Sequence, residues 1–401
     1  MENQFQGKKV VIGVCGSIAA FKVAGWVSSL AKEGAEVSVV MTEAATRFVA
    51  PLSFGALSGN PVLSDMFQAE ASHAISHVAL GQEADLVVIA PATANTMAKL
   101  AHGMADDLLS TTVLAAKCPV LVAPAMNSAM LENPATQRNI VLLKEFGHSV
   151  IEPGVGLMAC KTEGPGRLPE WEEVREQLLA ALIEQDLAGE RFLISAGPTR
   201  EALDPARFIS NRSSGKMGYA LARMARRRGA DVLLVSGPSP LDAPYGVERV
   251  SVQTALEMYE AVMAESAASS VIIKAAAVSD FRPQSISSEK VKKEDAEFVV
   301  KLEQTDDILK KLGEEKEKNN YLLVGFAAES SNLRAAGEKK LVEKNLDLIA
   351  INDISTAGSG FEVDTNQVTL LDKDGFTDLP LLSKDDTANR ILDRVKELLK
   401  K

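Results

Sequence analysis

Short runs of β-branched and aliphatic residues alternate with helix-like segments along this chain, and the whole pattern occurs twice. In the first half the runs are residues 10–14, 37–41, 86–90, 120–123 and 149–151; in the second they are 191–197, 231–236, 271–277, 321–326 and 346–351. Parallel strands need crossover helices between them, and strands buried on both faces read as unbroken apolar runs. The pattern therefore predicts an α/β chain of two doubly wound parallel-sheet domains. Its 401 residues suffice for two separate cores. Between the halves, residues 169–182 have apolar side chains at helical spacing and acids near the start, where they suit the helix dipole. This helix is expected to close the first domain, with a boundary near 186–189 and domains of 1–188 and 189–401.

Composition excludes several function classes. A net charge of −11 opposes a general nucleic-acid or anionic-membrane surface, so any phosphate site must be local. Three cysteines, far apart and in unlike settings, make neither a disulfide framework nor a structural zinc site, and point to a reducing, cytoplasmic compartment. The apolar stretch 10–20 after Lys8-Lys9 has the look of a signal peptide, but Gly13 and Gly16 interrupt it and a helical pattern follows. It reads as a first strand and turn.

Cys15 and Cys118 sit beside apolar runs, as structural cysteines do, whereas Cys160 lies in a glycine-rich loop, 154–167, with charged neighbours. Two readings fit it: a proton donor or nucleophile, or an incidental exposed thiol. The turn 13–20 follows a strand and opens a helix, so its N–H groups suit an anion. It lacks G-x-G-x-x-G spacing, and the second strand ends at Met41-Thr42 rather than at an acid, which opposes a nicotinamide dinucleotide and suits FMN better. Two more strand ends carry polar tips, Pro91-Ala92-Thr93-Ala94-Asn95-Thr96 and Pro124-Ala125-Met126-Asn127. Ligands collect at such ends in open parallel sheets. His73 and His77, four apart, share a helix face but find no third metal ligand nearby, which leaves His77 as an acid/base or orienting group or as a structural histidine.

In the second half, Gly215-Lys216 invites a P-loop reading, but Ser210 stands where the first glycine is required. What remains is a Ser-, Gly- and Lys-rich turn suited to phosphate. Residues 274–283 end a strand in small residues, with Asp280 placed to read a base or hold Mg²⁺. The Lys- and Glu-rich stretch 285–320 is either a solvated hairpin and helix or a lid over a triphosphate.

Taken in order, these motifs, with Ala196-Gly197-Pro198-Thr199-Arg200-Glu201, residues 210–218 and Gly325-Phe326-Ala327-Ala328-Glu329, resemble the bacterial bifunctional phosphopantothenoylcysteine decarboxylase / phosphopantothenate-cysteine ligase family. The resemblance implies a flavodoxin-like FMN domain followed by a Rossmann-like ligase domain. In the first, FMN would oxidise the substrate thiol so that CO₂ can leave, and would then return the electrons. Cys160 would donate the final proton, His77 orient the substrate and Asn127 bind its carboxylate, with FMN held by Gly16, Ser17, Ile18, Thr42, Ala92, Thr93, Asn95 and Met126. In the second, the carboxylate of 4′-phosphopantothenate would attack CTP, and cysteine would then displace CMP. Asn211 matches the acyl-cytidylate contact and Lys290 a nucleotide contact on a strap. Lys274, Ala275, Ala276, Asp280, Asp306, Asp307, Ile308, Leu309, Phe326, Lys340 and Lys344 match further CTP contacts. Mg²⁺ would accompany the nucleotide, with Asp280 beside it. The resemblance also implies a homo-oligomer through both domains, with small-molecule substrates and neither nucleic acid nor membrane as partner. Two departures stand out: Lys161 follows Cys160 where the family usually has Gly, and Thr305-Asp306-Asp307-Ile308 replaces an Asn-Pro-Asp-Ile contact.

Overall fold

The structure is a computed structural model that describes residues 4–67, 76–159, 161–290, 299–329, 332–353 and 363–400. It divides into two compact units, Met1–Glu184 and Gln185–Lys401. In the first unit, β1 (Lys9–Val14), β2 (Glu36–Met41), β3 (Leu86–Ala92), β4 (Val120–Pro124) and β5 (Ser149–Val150) form one parallel sheet in the order β2-β1-β3-β4-β5. β1, β3 and β4 bury both faces, whereas the edge strand β5 has neither residue buried. Val10, Ile12 and Val14 enter one core and Val11 the other; Leu86, Val88 and Ala90 share the first, Val87 and Ile89 the second. Each such aliphatic contributes about 1.5–3 kcal/mol by leaving water.

The helix expected to close this unit runs Trp171–Ala181 and buries Val174, Leu178 and Leu179 in the first core. Trp171 packs on Trp26 with ring centroids 6.1 Å apart, and Arg175 donates from Nε and Nη2 to the buried Glu33 carboxylate. A glycine-rich hairpin precedes it, β6 (Gly154–Leu157) against β7 (Glu163–Arg167).

The second unit runs through β8 (Arg191–Ala196), the ribbon β9 (Arg200–Ala202) with β10 (Phe208–Ser210), β11 (Asp231–Ser236), β12 (Glu248–Ser251) and β13 (Val271–Lys274). It continues with the ribbon β14 (Phe281–Pro283) and β15 (Leu302–Gln304), then β16 (Leu322–Glu329), β17 (Leu348–Asp353), β18 (Thr365–Asn366), β19 (Val368–Asp372), β20 (Gly375–Asp378) and β21 (Leu382–Ser383). The main sheet has the order β12-β11-β8-β13-β16-β17-β19-β20. Its first six strands are parallel, the doubly wound order expected of a Rossmann-like domain. β19 and β20 add an antiparallel edge that the run pattern does not anticipate. The strand expected over 271–277 stops at Lys274 instead. Beyond it Ala275 and Ala277 still donate their N–H groups to Ser195 O and Gly197 O, at 3.2 and 2.9 Å, so the segment keeps following β8 after the strand has ended.

Gln185 begins the second unit, where Asp186 accepts from Arg228 and Lys396. No helix among the described residues is long and apolar enough to cross a membrane.

Candidate functional sites

In the first unit the strand order reverses between β1 and β3, which opens a crevice above their carboxyl ends. The β1 turn enters it. Gly16 is required there, since a Cβ would lie 2.5 Å from Ala44 Cβ. Ser17 N–H donates to Cys15 O at 2.8 Å, and Ser17 Oγ reaches Ala125 O at 3.4 Å, which ties the turn to the end of β4. Thr93 caps helix Ala94–Ala101 by accepting from Thr96 N–H at 3.3 Å.

Two cavities flank this turn. The larger, about 1080 Å³, is lined by Gly16, Thr42, Thr93 and Asn95, with Arg47 and Lys99 among the charged residues. The smaller, about 440 Å³, is lined by Ser17, Ile18, Met126 and Asn127, with Ala159 and Arg167. Seven of the eight residues matched to flavin thus border one cavity or the other. The eighth, Ala92, is fully buried in β3 and lines neither, and its carbonyl accepts from Ala125 N–H at 3.0 Å.

Asn127 caps helix Ser128–Glu132, its Oδ1 accepting from Ala129 N–H at 2.9 Å. His77 is the second residue of helix Ser76–Glu83, half-buried, and borders neither cavity. His73 and Cys160 lie outside the described residues.

The hairpin that leads to and from Cys160 is fixed to the floor of the smaller cavity. Met126 N–H donates to Gly166 O at 3.0 Å and Ser128 Oγ–H to Pro165 O at 2.7 Å. Lys161 has φ +64°, a left-handed conformation that glycine adopts freely and lysine does not, so the substitution at this family position carries backbone strain. The other thiols are core groups: burial pushes Cys15 up to about 11, and burial also raises Cys118.

In the second unit the turn after β10 places Asn211, whose Nδ2 donates to Ala277 O at 3.2 Å and Val278 O at 2.9 Å. Helix Lys216–Arg227 then opens from Gly215, at φ +81°. A cavity of about 410 Å³ is lined by Asn211, Ala275, Ala276, Asp280, Phe326 and Lys340. A neighbouring one of about 400 Å³ shares Ala276, Asp280 and Phe326, and adds Lys274, Asp306, Asp307, Ile308 and Leu309.

Asp307 caps helix Ile308–Asn319 by accepting from Lys310 N–H at 2.9 Å, and it pairs with Lys344. Burial pushes its carboxyl upward, but the Lys344 and Lys310 bonds outweigh that and leave it below the usual range. Thr305, in the altered contact segment, donates from Oγ1 to Ser279 O at 2.6 Å. Lys274 is 7% exposed, and burial pushes it down to about 7 against the pull of Asp307. Lys290 is exposed and lines neither cavity, and Lys344 enters only through Asp307. Among the described residues no group of three His, Cys, Asp or Glu could hold a metal ion.

Sequence reasoning missed Lys384, Asn352 and Asn366, which also line the Asn211 cavity. A signal existed for Lys384: it heads the stripe Thr387, Ala388, Ile391, Leu392 and Val395, a lysine at a core position of an amphipathic helix.

Two family models match, "Flavoprotein" over residues 1–183 and "DNA/pantothenate metabolism flavoprotein C-terminal domain" over 187–399. The chain is 47% identical over 398 residues to the coenzyme A biosynthesis bifunctional protein CoaBC of Bacillus subtilis, covering 98% of each chain. The chain belongs to the CoaBC family. The CoaBC protein of Vibrio cholerae is 44% identical, again over 98% of each chain. A solved C-terminal domain of a CoaBC protein is 44% identical with a TM-score of 0.47, covering 54% of this chain and 99% of that one. The CoaBC relationship bears out the resemblance carried by the motifs. The flavoprotein match falls on the unit with the 2-1-3-4-5 sheet.

Proposed function

We propose that this chain carries two reactions of coenzyme A biosynthesis. The second unit joins L-cysteine to 4′-phosphopantothenate with CTP, and the first decarboxylates the resulting 4′-phosphopantothenoylcysteine to 4′-phosphopantetheine with FMN. One observation carries the reading: relatives named as bifunctional align over 98% of both chains, so the match includes both units and the cavities lined by their motif residues.

The larger cavity of the first unit suits FMN. It lies at the switch point of the sheet, offers hydroxyls from Thr42 and Thr93 to a phosphate and polyol, and has a glycine turn that lets a ligand approach the backbone. When bound, FMN supplies reversible two-electron oxidation at the thiol-bearing carbon, which gives the departing carboxylate an electron sink. Asn127 and Arg167, both on the smaller cavity, would bind the substrate carboxylate, and Cys160 would protonate the product carbon. His77 stays in the reading as an orienting group on the resemblance alone. His77→Asn should lower decarboxylation at least tenfold, and an unchanged rate removes it.

In the second unit, Asn211 would hold the acyl-cytidylate beside the Ala275–Ala277 segment, and Asp280, common to both cavities, would help to hold the Mg²⁺ that offsets the charge of the nucleotide phosphates. Lys274, Asp306, Asp307 and Lys340 would contact the nucleotide, with Lys290 closing from the strap and Lys344 acting through Asp307. Exposed Ile18, Phe21 and Leu157 at the rim of the smaller cavity support a homo-oligomer that covers them. Free Cys15 and Cys118 suit a reducing cytoplasm.

Incubating the purified chain with 4′-phosphopantothenate, L-cysteine, CTP and Mg²⁺ should release CMP only when all are present, whereas one equivalent of pyrophosphate should form without cysteine. CMP release indifferent to cysteine contradicts the ligase assignment.

A further inference from the structure

Lys274 ends the central strand β13, paired with Ser195 of β8 on one side and Gly325 of β16 on the other. It stands at a core position. Ile272, two residues earlier and on the same face, shares a core with Met258, Ile308 and Leu312, and Lys274 itself is 7% exposed. Among the described residues its Nζ has one hydrogen-bond contact, Met258 Sδ at 3.7 Å, and a thioether is a weak acceptor. Asp307 is close enough to pull on its charge but is engaged by Lys344 and by the Lys310 N–H. A buried amine is thus left short of acceptors, a cost that an acceptor on a ligand would offset.

Lys274 lines the cavity of about 400 Å³ that neighbours the Asn211 cavity. Val278, Leu309, Phe281 and Phe326 give it apolar and aromatic walls, which suit a flat ring. Asp280, Asp306 and Asp307 line it too, and their charge repels a phosphate at Lys274. A neutral ring with acceptor atoms meets no such repulsion. Asn211, matched to the acyl-cytidylate contact, lies on the other cavity, so the base of the nucleotide is the part left for this one.

The choice among bases follows from what a donor can read. Cytosine presents two adjacent acceptors, the O2 carbonyl and ring N3, beside an amine that can donate to a carboxylate such as Asp306. In uracil N3 carries a hydrogen, so a donor placed there meets a donor. A buried group left unpaired in this way is what lets a site reject a near-isostere. Burial lowers Lys274 to about 7, and either protonation state retains N–H donors.

We propose that Lys274 selects the base of the nucleotide: its side-chain amine donates to the O2 and N3 edge of cytosine and so sets CTP above UTP. The identity of the nucleotide rests on the ligase reading above, to which this adds the residue that discriminates it.

The test titrates CTP and UTP, each with Mg²⁺, into the full-length protein by calorimetry. Wild type should bind CTP at least about tenfold more tightly than UTP. Lys274→Met, which keeps an unbranched apolar stem and loses the donor, should bind CTP about 10- to 100-fold more weakly and leave the two nucleotides within about threefold of each other. A merely structural lysine would weaken both alike and leave their ratio unchanged. The analogue 3-deaza-CTP, with C–H in place of N3, probes the same contact without a mutation, and wild type should bind it about tenfold more weakly than CTP. It carries the test if far-UV circular dichroism shows that Lys274→Met does not fold. Wild type that binds CTP and UTP alike, folded Lys274→Met that keeps the wild-type ratio, or 3-deaza-CTP bound as tightly as CTP overturns the proposal. Selective CTP binding that Lys274→Met abolishes, in protein that forms no CMP from CTP, 4′-phosphopantothenate and cysteine, overturns the ligase reading instead and leaves the base assignment standing.

Discussion

Gly166→Ala tests whether the β6–β7 hairpin must rest on the segment 126–128 for decarboxylation. Gly166 has φ +132°, and a Cβ there would fall 2.1 Å from Met126 O. Cβ contacts stay at 3.0 Å or beyond, so strand or carbonyl must retreat by at least 0.9 Å, the difference of 3.0 and 2.1. That retreat breaks the 3.0 Å bond from Met126 N–H to Gly166 O and pulls on the Ser128–Pro165 bond. A lost backbone bond costs about 1 kcal/mol, overpacking about 1–3 kcal/mol and a Cβ at positive φ about 1–2 kcal/mol.

The load, about 3–6 kcal/mol, falls on a two-stranded hairpin rather than on the sheet, so the hairpin lifts while the unit stays folded. At about 1.4 kcal/mol per decade, decarboxylation should fall at least about 100-fold. The assay supplies 4′-phosphopantothenoylcysteine to the full-length variant and follows CO₂, with ligation measured in parallel and expected at the wild-type rate. Decarboxylation within twofold of wild type would refute the reasoning.

Asn211→Asp sets a carboxylate against the carbonyls of Ala277 and Val278, to which the amide now donates; ligation should drop about 100-fold with decarboxylation of supplied substrate retained, and wild-type ligation would remove Asn211 from the site. Lys161→Gly relieves the left-handed strain at φ +64°, so hydrogen exchange of the Met158 amide, bonded to Thr162 O, should slow about fivefold, or about 1 kcal/mol; faster exchange contradicts this. Burial holds folded Lys274 down to about 7, well below the ordinary lysine value of 10.5, so between these values the unfolded chain binds the extra proton and stability rises with pH. Lys274→Met should therefore be more stable than wild type at pH 7, by denaturant titration, with the gap narrowing toward pH 10; a gap independent of pH refutes the burial argument.

The ten strands expected from the sequence are legible because parallel strands buried on both faces leave runs such as Val10 to Val14 that no helix period explains. β12 was missed for the opposite reason: Glu248–Ser251 is an edge strand with three of its four residues exposed. β19 and β20 did carry a signal, Asp374-Gly375 between alternating residues, with Gly375 at φ +118°. The cavity turns were legible because glycine and hydroxyl residues at strand ends have few other uses. That Ala92 and His77 border neither cavity was not legible, since a motif names residues near a site but not which side chains line it. Lys384 was hidden because burial of a lone lysine depends on Asn366 and on packing across the sheet.

The central claim is that one chain makes an amide with CTP and then uses a flavin to remove the carboxylate it has just imported. Cysteine labelled in its carboxyl carbon, supplied with 4′-phosphopantothenate, CTP and Mg²⁺ to FMN-loaded protein, measures this directly. Labelled CO₂ should appear in step with CMP, and the product should have the mass of 4′-phosphopantetheine. CMP formed with the label still in the product, or labelled CO₂ released equally well by flavin-free protein, would contradict it.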